Sequence, residues 1–353
     1  MIGSNARPRQ RSANRPPAGG AGTFGAAHVN PGDAYAGVPI LQNPVWNNEI
    51  AAYMYLGGIS SGAFILGALA DLSGERWRSL ARTARVVSFA AMAPCAPLLI
   101  DDLGRPSRFH HMLRVFKPSS PMNLGSWTLL VHSGFSTLLA AHALAEADKL
   151  PVFGPLAKGL PSKLLGAAGI LPAMTLGGYT GVLIGTTSVP LWSTSPMLGG
   201  LFMASAIASG TSAVSLASIL SGRAAPADHA ALGSIGLAAG ASELCLAAGY
   251  LATSGEAAAP LREGADGALL LGALTATATA LALEVAGKRG PSRQGLVSAL
   301  AASASLAGGA MLRWAVIRAG RTSAGDRDAN LAAMRPSSQN PGWGPPNATG
   351  SEA

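Results

Sequence analysis

The stretch "ISSGAFILGALADLSG", residues 59–74, decides the fold because its small and apolar residues are typical of a helix inside a lipid bilayer. It overlaps an apolar window at 50–70, which has close to the ~20 residues that a helix needs to cross the hydrocarbon. Seven further windows follow at 86–102, 124–145, 164–187, 197–220, 230–252, 267–286 and 294–317. The sequence therefore predicts eight transmembrane helices.

The composition of the whole chain points to the same class of protein. Of its 353 residues, 49% are hydrophobic and 12% are charged, which is about half the charged share of an ordinary soluble domain. The 45 glycines favour helices whose backbones approach one another closely. We therefore expect an all-α membrane protein whose surroundings are the lipid bilayer and which has no nucleic-acid partner.

The opening stretch has a second copy later in the chain. The sequence "IASGTSAVSLASILSG" at 207–222 aligns with it without gaps at an offset of 148 residues, with six of sixteen positions identical. Four helices separate the two copies, so both run in the same direction and predict two four-helix bundles related by an axis along the membrane normal. We assign the first bundle to 43–190 and the second to 191–320. Low-complexity small residues are an alternative origin for this similarity.

The regions outside the windows differ in composition from the helices. Residues 1–42 and 321–353 are rich in glycine, proline and polar residues without an apolar period, so we expect two disordered tails. Lysine and arginine near the helix ends number seven on the side of the termini and eleven on the other side. This bias predicts that both termini lie on the outer, periplasmic side of the cytoplasmic (inner) membrane. Five tryptophans fall near predicted helix ends, as in aromatic belts: Trp46, Trp77, Trp127, Trp192 and Trp314.

The second window ends in an unusual way, in the sequence "APLLIDDLGRPSRF" at 96–109. Pro94 and Pro97 each remove a backbone N–H group, which predicts a kinked helix. Arg105 precedes a proline, which disfavours helix and ends the span there. We expect Asp102 and Arg105 to form an ion pair that holds the following loop. The alternative is a helix stop with a solvated pair that contributes little.

Ionisable groups inside a membrane span are costly and are therefore functional candidates. Glu243 falls near the centre of the sixth window, and Asp101 lies at the end of the second. Two interpretations of Glu243 remain open: a neutral carboxyl bonded to a serine of a neighbouring helix, and a proton relay. Asp101, which is turned ~100° from Asp102 around the helix, is a further candidate for proton transfer.

Metal and haem ligands are scarce in this sequence. Cys95 and Cys245 lie singly in different helices, so the chain has no cysteine pattern for an iron–sulfur cluster. His132 and His142 share one helix and are ~15 Å apart along its axis, too far to bind one haem iron. We therefore expect neither haem nor an iron–sulfur cluster, and no metal site.

Three blocks of the sequence carry a resemblance to a known family. They are "NPVWNNEIAAYMYLGGISSGA" at 43–63, "LLIDDLGRPSRFHHMLRVFKPSSPMNLGSW" at 98–127 and "GGYTGVLIGTTSVPLWSTSP" at 177–196. These blocks resemble the NrfD/PsrC family, the membrane subunits of polysulfide reductase-like complexes. The second bundle matches that family only in topology.

The resemblance implies an eight-helix subunit without metal that binds menaquinone or ubiquinone. It also implies an iron–sulfur (ferredoxin-like) partner on the outer face, a molybdopterin catalytic subunit, and electron transfer between that partner and the quinone pool. The terminal substrate then belongs to a partner, and this chain does not act on it by itself. Two other functions stay open: translocation of protons or a solute, and passive anchoring of a catalytic partner.

The resemblance further implies which residues hold the quinone. In the family, polar residues at the start of the first helix and a tyrosine in the fourth helix fill this role, and the matching positions are Asn47 or Asn48, Glu49 and Tyr179. The polysulfide reductase subunit carries a histidine on its first helix that this sequence lacks, so Tyr53 or Glu49 is expected to replace it. The basic run Arg105, Arg108, Arg114 and Lys117 is expected to meet an acidic partner surface.

Overall fold

A computed structural model of the protein describes residues 41, 44, 46–103, 105–147, 161–287, 294–326 and 330. All regular secondary structure in these residues is helical. Eight of the helical segments described are long and apolar enough to cross a membrane, which confirms the prediction of an all-α membrane protein with eight spans. Nearly all of the two predicted tails lies outside the described residues.

The membrane-spanning helices have the following bounds. They are α1 (Asn48–Leu72), α2 (Arg78–Met92) with α3 (Cys95–Asp101) as the second span, α4 (Pro121–Glu146), α5 (Ser162–Gly185), α7 (Leu198–Leu220), α8 (Pro226–Thr253), α9 (Gly264–Gly287) and α10 (Gln294–Gly325). A single turn, α6 (Pro190–Ser193), precedes α7, and 3-10 segments lie at Glu75–Trp77, Pro106–Leu113 and Gly255–Leu261. The eighth span ends at Gly325 and is longer than the window at 294–317.

The second span is broken where its prolines predict a kink. Helix α2 ends at Met92, and α3 begins again at Cys95, directly after Pro94. The carbonyl of Pro94 accepts the N–H of Leu98 at 3.0 Å, so the chain resumes helical hydrogen bonding at once. The helix is therefore interrupted at residues 93–94, at the first of the two prolines that predict a kink.

The helices contact one another in two closed rings. In the first, α1 contacts α2, α2 contacts α4, α4 contacts α5, and α5 contacts α1. In the second, α7, α8, α9 and α10 follow one another in the same way. Helix α1 also packs on α7 and α10. These contacts are compatible with two four-helix bundles, and the division into those bundles remains a prediction.

The two copies of the internal repeat cross each other at matched glycines. A Cβ atom on Gly62 would overlap the backbone of Ala206, and one on Gly210 would overlap the backbone of Gly62 and Ala63. Gly62 and Gly210 are equivalent positions of the repeat, 148 residues apart. The α1–α7 crossing therefore depends on glycine in both copies, because a larger side chain would hold the backbones apart.

One of the tryptophans near the helix ends is packed inside the protein. Trp192, on the short α6, is fully buried. Its indole Nε1 donates to the carbonyl of Val316 at 2.9 Å, and its ring stacks on Trp46 with 5.3 Å between ring centroids. Gly320 leaves the space that the ring occupies. Trp192 therefore has a packing role between α6 and α10, which its position near a helix end did not indicate.

Candidate functional site

A pocket of about 590 Å³ lies at the end of the bilayer where α1 and α4 begin and α3 ends. Its wall is mostly aliphatic and methionine side chains. Five of the residues that line it carry polar side-chain atoms: Trp46, Tyr53, Asp102, Ser126 and Tyr179. An apolar pocket with a few polar groups is typical of a site for a small organic molecule.

Tyr179 is held in place by the first turn of α4. Its ring lies against Gly125, where a Cβ atom would overlap the ring. Its hydroxyl donates a hydrogen bond to the carbonyl of Pro121. The hydroxyl oxygen keeps lone pairs that can accept a further hydrogen bond, so Tyr179 can face a donor in the pocket.

Tyr53 lines the same pocket from α1. Its side chain is buried, yet its hydroxyl has no hydrogen-bond partner among the described residues. This hydroxyl is not among the fully buried side-chain atoms that lack a partner, so a ligand in the pocket can reach it and form a hydrogen bond with it. Tyr53 is therefore a polar group of the pocket that is open to a ligand.

Acidic side chains collect at the edge of the pocket. Partial burial of Asp102, together with the charges of Glu49 and Asp101, raises the pKa of the Asp102 carboxyl. Glu49 Oε2 is buried and has no hydrogen-bond partner among the described residues. Asp101 is exposed. Asp102 therefore retains its proton at a higher pH than an isolated aspartate does.

The structure places the two predicted asparagines away from the pocket wall. Asn47 is exposed at the N-cap position of α1. Asn48 is also exposed, and its Oδ1 accepts a hydrogen bond from Trp314 Nε1 at 3.1 Å. This bond ties the start of α1 to α10, so Asn48 has a structural contact that the sequence did not indicate.

Within the described residues, no ion pair joins Asp102 to Arg105. Asp102 faces the pocket, whereas Arg105 is exposed and leaves the helix direction with φ −141° before Pro106. The backbone therefore separates the two side chains that the sequence predicts as a pair.

The loop after α3 is held by Asn123, a residue that the sequence analysis missed. Its Oδ1 accepts the N–H of Lys117 at 2.6 Å, and its Nδ2 donates to the carbonyls of Met112 at 3.0 Å and Val115 at 2.9 Å. Ser120 caps the same helix by accepting the N–H of Asn123 at 3.5 Å. The Ser-Pro start of α4 was the available signal, since it places a polar side chain of the first turn beside the incoming loop.

A second, more apolar cleft of about 610 Å³ adjoins the pocket. Leu99, Met112 and Ser126 line both spaces, and Leu130, half exposed on the outer face of α4, lines the cleft. The cleft lies between α3, α4 and the 3-10 segment Pro106–Leu113. Its position and its apolar lining suit a hydrocarbon chain that continues from the pocket toward lipid.

Glu243 lies in the other half of the protein and not at this pocket. It is buried on α8 and accepts a hydrogen bond from Thr277 Oγ1 at 3.4 Å. The positive charge of Arg313, buried on α10, acts on it. Arg313 Nη2 donates to the carbonyl of Phe202 at 2.9 Å, and the guanidinium lies 4.1 Å above the Phe202 ring.

The sequence analysis missed Arg313, although an arginine within "AMLRWAV" at 310–316 was a visible signal. Among the described residues, no group of three or more histidine, cysteine, aspartate or glutamate side chains could hold a metal ion. The polar groups available to a ligand at the pocket are therefore hydroxyls and carboxyls.

These features define the class: a multi-pass α-helical membrane protein with an apolar pocket, partly lined by polar groups, at one end of its first four spans. The family model described as "Polysulphide reductase, NrfD" matches residues 38–324, and the chain belongs to this family. The resemblance inferred from the three sequence blocks is confirmed.

Two curated relatives match part of the protein. The polysulfide reductase C subunit of Wolinella succinogenes is 30% identical over 181 residues, which cover 48% of this protein and 56% of the relative. Protein NrfD of Escherichia coli K12 is 27% identical over 206 residues, which cover 53% of this protein and 63% of the relative. The match therefore spans between about half and two thirds of the length of these relatives.

Proposed function

We propose that this protein is the quinone-reactive membrane subunit of an oxidoreductase complex, passing electrons between an iron–sulfur partner and the membrane quinone pool. The observation that carries the proposal is the apolar pocket with Tyr53, Tyr179 and Asp102 in its wall. Membership of the NrfD family, and the name of the relative from polysulfide reductase, support it.

The pocket has the groups that a quinone head requires. A quinone presents two carbonyl oxygens that accept hydrogen bonds, and its reduction needs a nearby proton donor. The unpartnered hydroxyl of Tyr53 can donate to one of them. Asp102, whose raised pKa keeps it protonated at a higher pH than usual, can serve the other. Menaquinone and ubiquinone share this pair of carbonyls and an isoprenoid tail, which fits the adjoining apolar cleft.

The bound quinone would supply two-electron redox chemistry, and the protein would supply orientation and protons. Reduction adds two electrons and two protons and converts both carbonyls to hydroxyls. Tyr53 and Tyr179 orient the head, Asp102 holds a proton at the pocket edge, and Glu49 lies close enough for its charge to act on Asp102. The electrons come from the iron–sulfur partner, since the chain is proposed to hold no cluster of its own.

The surface beside the pocket suits a protein partner. Arg105, Arg108 and Phe109 are exposed at the 3-10 segment, and Phe116 and Lys117 are exposed just after it. A basic, partly aromatic surface favours an acidic protein partner. We propose that the iron–sulfur (ferredoxin-like) subunit docks here, with a molybdopterin subunit beyond it that acts on the terminal substrate. This surface and both termini would lie on the outer side of the inner membrane, and the pocket in the bundle at 43–190.

The test compares tyrosines inside and outside the pocket in the complex purified with its partner subunits. Tyr53→Phe, Tyr179→Phe and Glu49→Gln are expected to lower kcat/KM for a short-chain naphthoquinone, the Tyr53 change by about a hundredfold. The matched control is Tyr55→Phe, because the Tyr55 hydroxyl donates to the carbonyl of Leu306 at 2.7 Å, outside the pocket wall.

Rates for the three pocket variants that equal the control would contradict the site assignment. A complex purified without quinone and unreactive toward it would favour the passive anchor. Proton or solute movement by the chain alone in liposomes, with no redox partner, would favour the translocator.

A further inference from the structure

A second cavity lies between the four helices of the second ring, α7, α8, α9 and α10. Glycine, alanine and leucine form much of its wall, and no residue of that wall also lines the candidate quinone pocket. Its polar side chains are five hydroxyls and one carboxylate: Thr211, Ser212, Ser215, Thr277, Ser305 and Glu284. We call this space the hydroxyl cavity.

Four of the five hydroxyls have no hydrogen-bond partner among the described residues. Thr211, Ser212 and Ser215 lie on α7 and are more than nine-tenths buried. Thr211 Oγ1 is closed off from solvent altogether. The fourth, Ser305, is half-buried on α10. Because a buried hydroxyl without a partner costs free energy, a guest that binds several of these oxygens at once would be stabilised.

Hydroxyls on the outer faces of the same helices have partners. Ser242 on α8, Thr279 on α9 and Ser303 on α10 are exposed, and each donates at 2.8 Å to the carbonyl four residues earlier on its own helix. A bond to the preceding turn is a common way for serine and threonine to satisfy their hydroxyls in a membrane helix. The four cavity hydroxyls lack this bond, so their oxygens are available to a guest.

The hydroxyl cavity is small. It leaves about 20 Å³ for a guest of the size of water. This is room for one water molecule or one ion, and not for an organic solute.

The groups around the cavity favour a cation as the guest. Glu284 brings a carboxylate to the wall, and a Cβ atom on Gly233 of α8 would overlap that carboxylate. Thr277 Oγ1 donates its hydrogen to Glu243 at 3.4 Å, so toward the cavity it can only accept a hydrogen bond or bind a cation. Among the described residues that line the cavity, none is lysine or arginine. A guest therefore meets negative charge and oxygen lone pairs.

The number and kind of ligands favour a monovalent cation. Oxygen ligands suit hard cations. Ca²⁺ takes more oxygen ligands than a space for one guest allows, and Mg²⁺ keeps several waters, for which the cavity has no room. The single carboxylate of the wall matches one positive charge. Na⁺ is smaller than K⁺ and suits the narrow space better.

We propose that the hydroxyl cavity is a binding site for one Na⁺ ion, held by hydroxyl oxygens of α7, α9 and α10 and by the carboxylate of Glu284. Glu284 is half-buried and lies one turn before α9 ends at Gly287, so the ion enters from the membrane face opposite the quinone pocket. The bound ion would join three helices of the second ring. This inference goes beyond the proposed function and does not depend on it.

The first test measures thermal unfolding of the purified full-length protein in NaCl, KCl and choline chloride of equal ionic strength. An ion that binds only the folded state raises the unfolding midpoint, and we expect Na⁺ to raise it by about 3 °C or more over choline, with a smaller rise in K⁺. Thr211→Val, which replaces a hydroxyl by a methyl group of similar size, and Glu284→Gln are expected to lose this rise. Each variant is compared with itself in choline, so a change in its basal stability does not affect the result.

The matched control is Thr279→Val. Thr279 lies on the same helix as Thr277 and Glu284, is exposed, and donates to the carbonyl of Thr275. It should keep the full rise in Na⁺. A rise that survives in Thr211→Val and Glu284→Gln overturns the assignment of the site.

The second test measures binding directly with radioactive ²²Na⁺. The protein should retain about one ion per chain, as a space for one guest implies, and unlabelled Na⁺ should displace it far better than K⁺. Equal midpoints in the three salts together with no retained ²²Na⁺ would overturn the proposal and leave water as the occupant. Displacement by K⁺ as effective as by Na⁺ would overturn the choice of Na⁺. No quinone or redox partner is present, so a failure here leaves the proposed function intact.

Discussion

The two halves of the protein are built on the same helix pattern but hold their buried polar groups in different ways. In the first half, Ser60, Ser88 and Ser136 are joined across three helices. In the second half, Glu243 accepts a hydrogen bond from Thr277 of α9, and Arg313 is bonded to the carbonyl of Phe202 on α7. The first arrangement joins neutral side chains of three helices to one another, whereas the second holds two ionisable side chains by separate hydrogen bonds.

The two halves also differ in the segments that connect their helices at the pocket end. In the first half the segment Pro106–Leu113 is largely exposed and is followed by the exposed Val115 and Phe116. In the second half the corresponding segment, Gly255–Leu261, packs Ala258 and Leu261 into the core. The first half therefore exposes apolar and aromatic side chains at this end of the protein, where the corresponding segment of the second half is packed into the core.

The largest effect is expected at the crossing of α1 and α7, to which both halves contribute one helix. Gly62→Leu should destabilise the fold by about 3 kcal/mol or more, because the new side chain would overlap the backbone of Ala206. The yield of monodisperse protein in detergent and the thermal unfolding midpoint measure this. Gly134→Leu is the control, since no atom lies within 4 Å of a Cβ atom at Gly134. Equal yields for both variants would show that the crossing tolerates bulk.

The next prediction concerns the buried Arg313, whose replacement should lower stability without lowering activity. Arg313→Met should cost about 2 kcal/mol, because it removes a buried hydrogen bond to the carbonyl of Phe202 and the contact of the guanidinium with the Phe202 ring. Quinone reduction per folded molecule should be unchanged, since Arg313 does not line the pocket. The control Arg318→Met removes an exposed ion pair with Asp266 and should cost under about 1 kcal/mol. If activity fell while stability did not, we would conclude that the second half takes part in the reaction.

A smaller effect is expected at the loop that is open only in the first half. Asn123→Ala should weaken the order of the loop by about 1–2 kcal/mol, because three hydrogen bonds to its backbone disappear. Hydrogen exchange at 105–120 should rise. Arg262→Ala, which removes a 3.1 Å bond to the carbonyl of Leu251 in the corresponding connection, is the control. Unchanged exchange in Asn123→Ala would mean that other contacts order the loop.

The smallest effect concerns the acidic edge of the pocket, which the second half lacks. The pKa of Asp102 is raised in the folded protein, so its contribution to stability is present at low pH and is lost as the pH rises past that pKa. Asp102→Asn should therefore stabilise the protein by a few tenths of a kcal/mol at pH 8 and have no such effect at pH 4. Thermal unfolding at the two pH values measures this, and an equal shift at both would contradict it.

Much of the architecture could be predicted from the sequence, because length and apolar content suffice to identify a membrane span. The kink at Pro94 and the matched glycines of the repeat followed from local chemistry. The inward turn of Trp192 could not be predicted, because it depends on a single helical turn and on the space left by Gly320, 128 residues away.

The candidate site was only partly predictable for a similar reason. Tyr53 and Tyr179 were predicted as quinone-binding residues and lie in one pocket, whereas Asn47 and Asn48 lie outside its wall. Asp102, which was predicted to pair with Arg105, lines the same pocket. The hydrogen bonds that join Ser60, Ser88 and Ser136 escaped prediction because a serine among glycines and alanines is typical of helix packing. The partner of each serine lies on another helix, and no spacing within one helix reveals it.

The stacked pair of Trp46 and Trp192 has an optical consequence. Trp46 lines the pocket, and its ring lies 5.3 Å from that of Trp192, which is fixed to α10 through Val316. A ligand that enters the pocket comes close to the Trp46 indole, and its effect reaches the Trp192 indole through the stacking of the two rings. The intrinsic fluorescence of this pair would therefore change when the pocket is filled. Ligand binding could then be followed in the unlabelled protein, without an added probe.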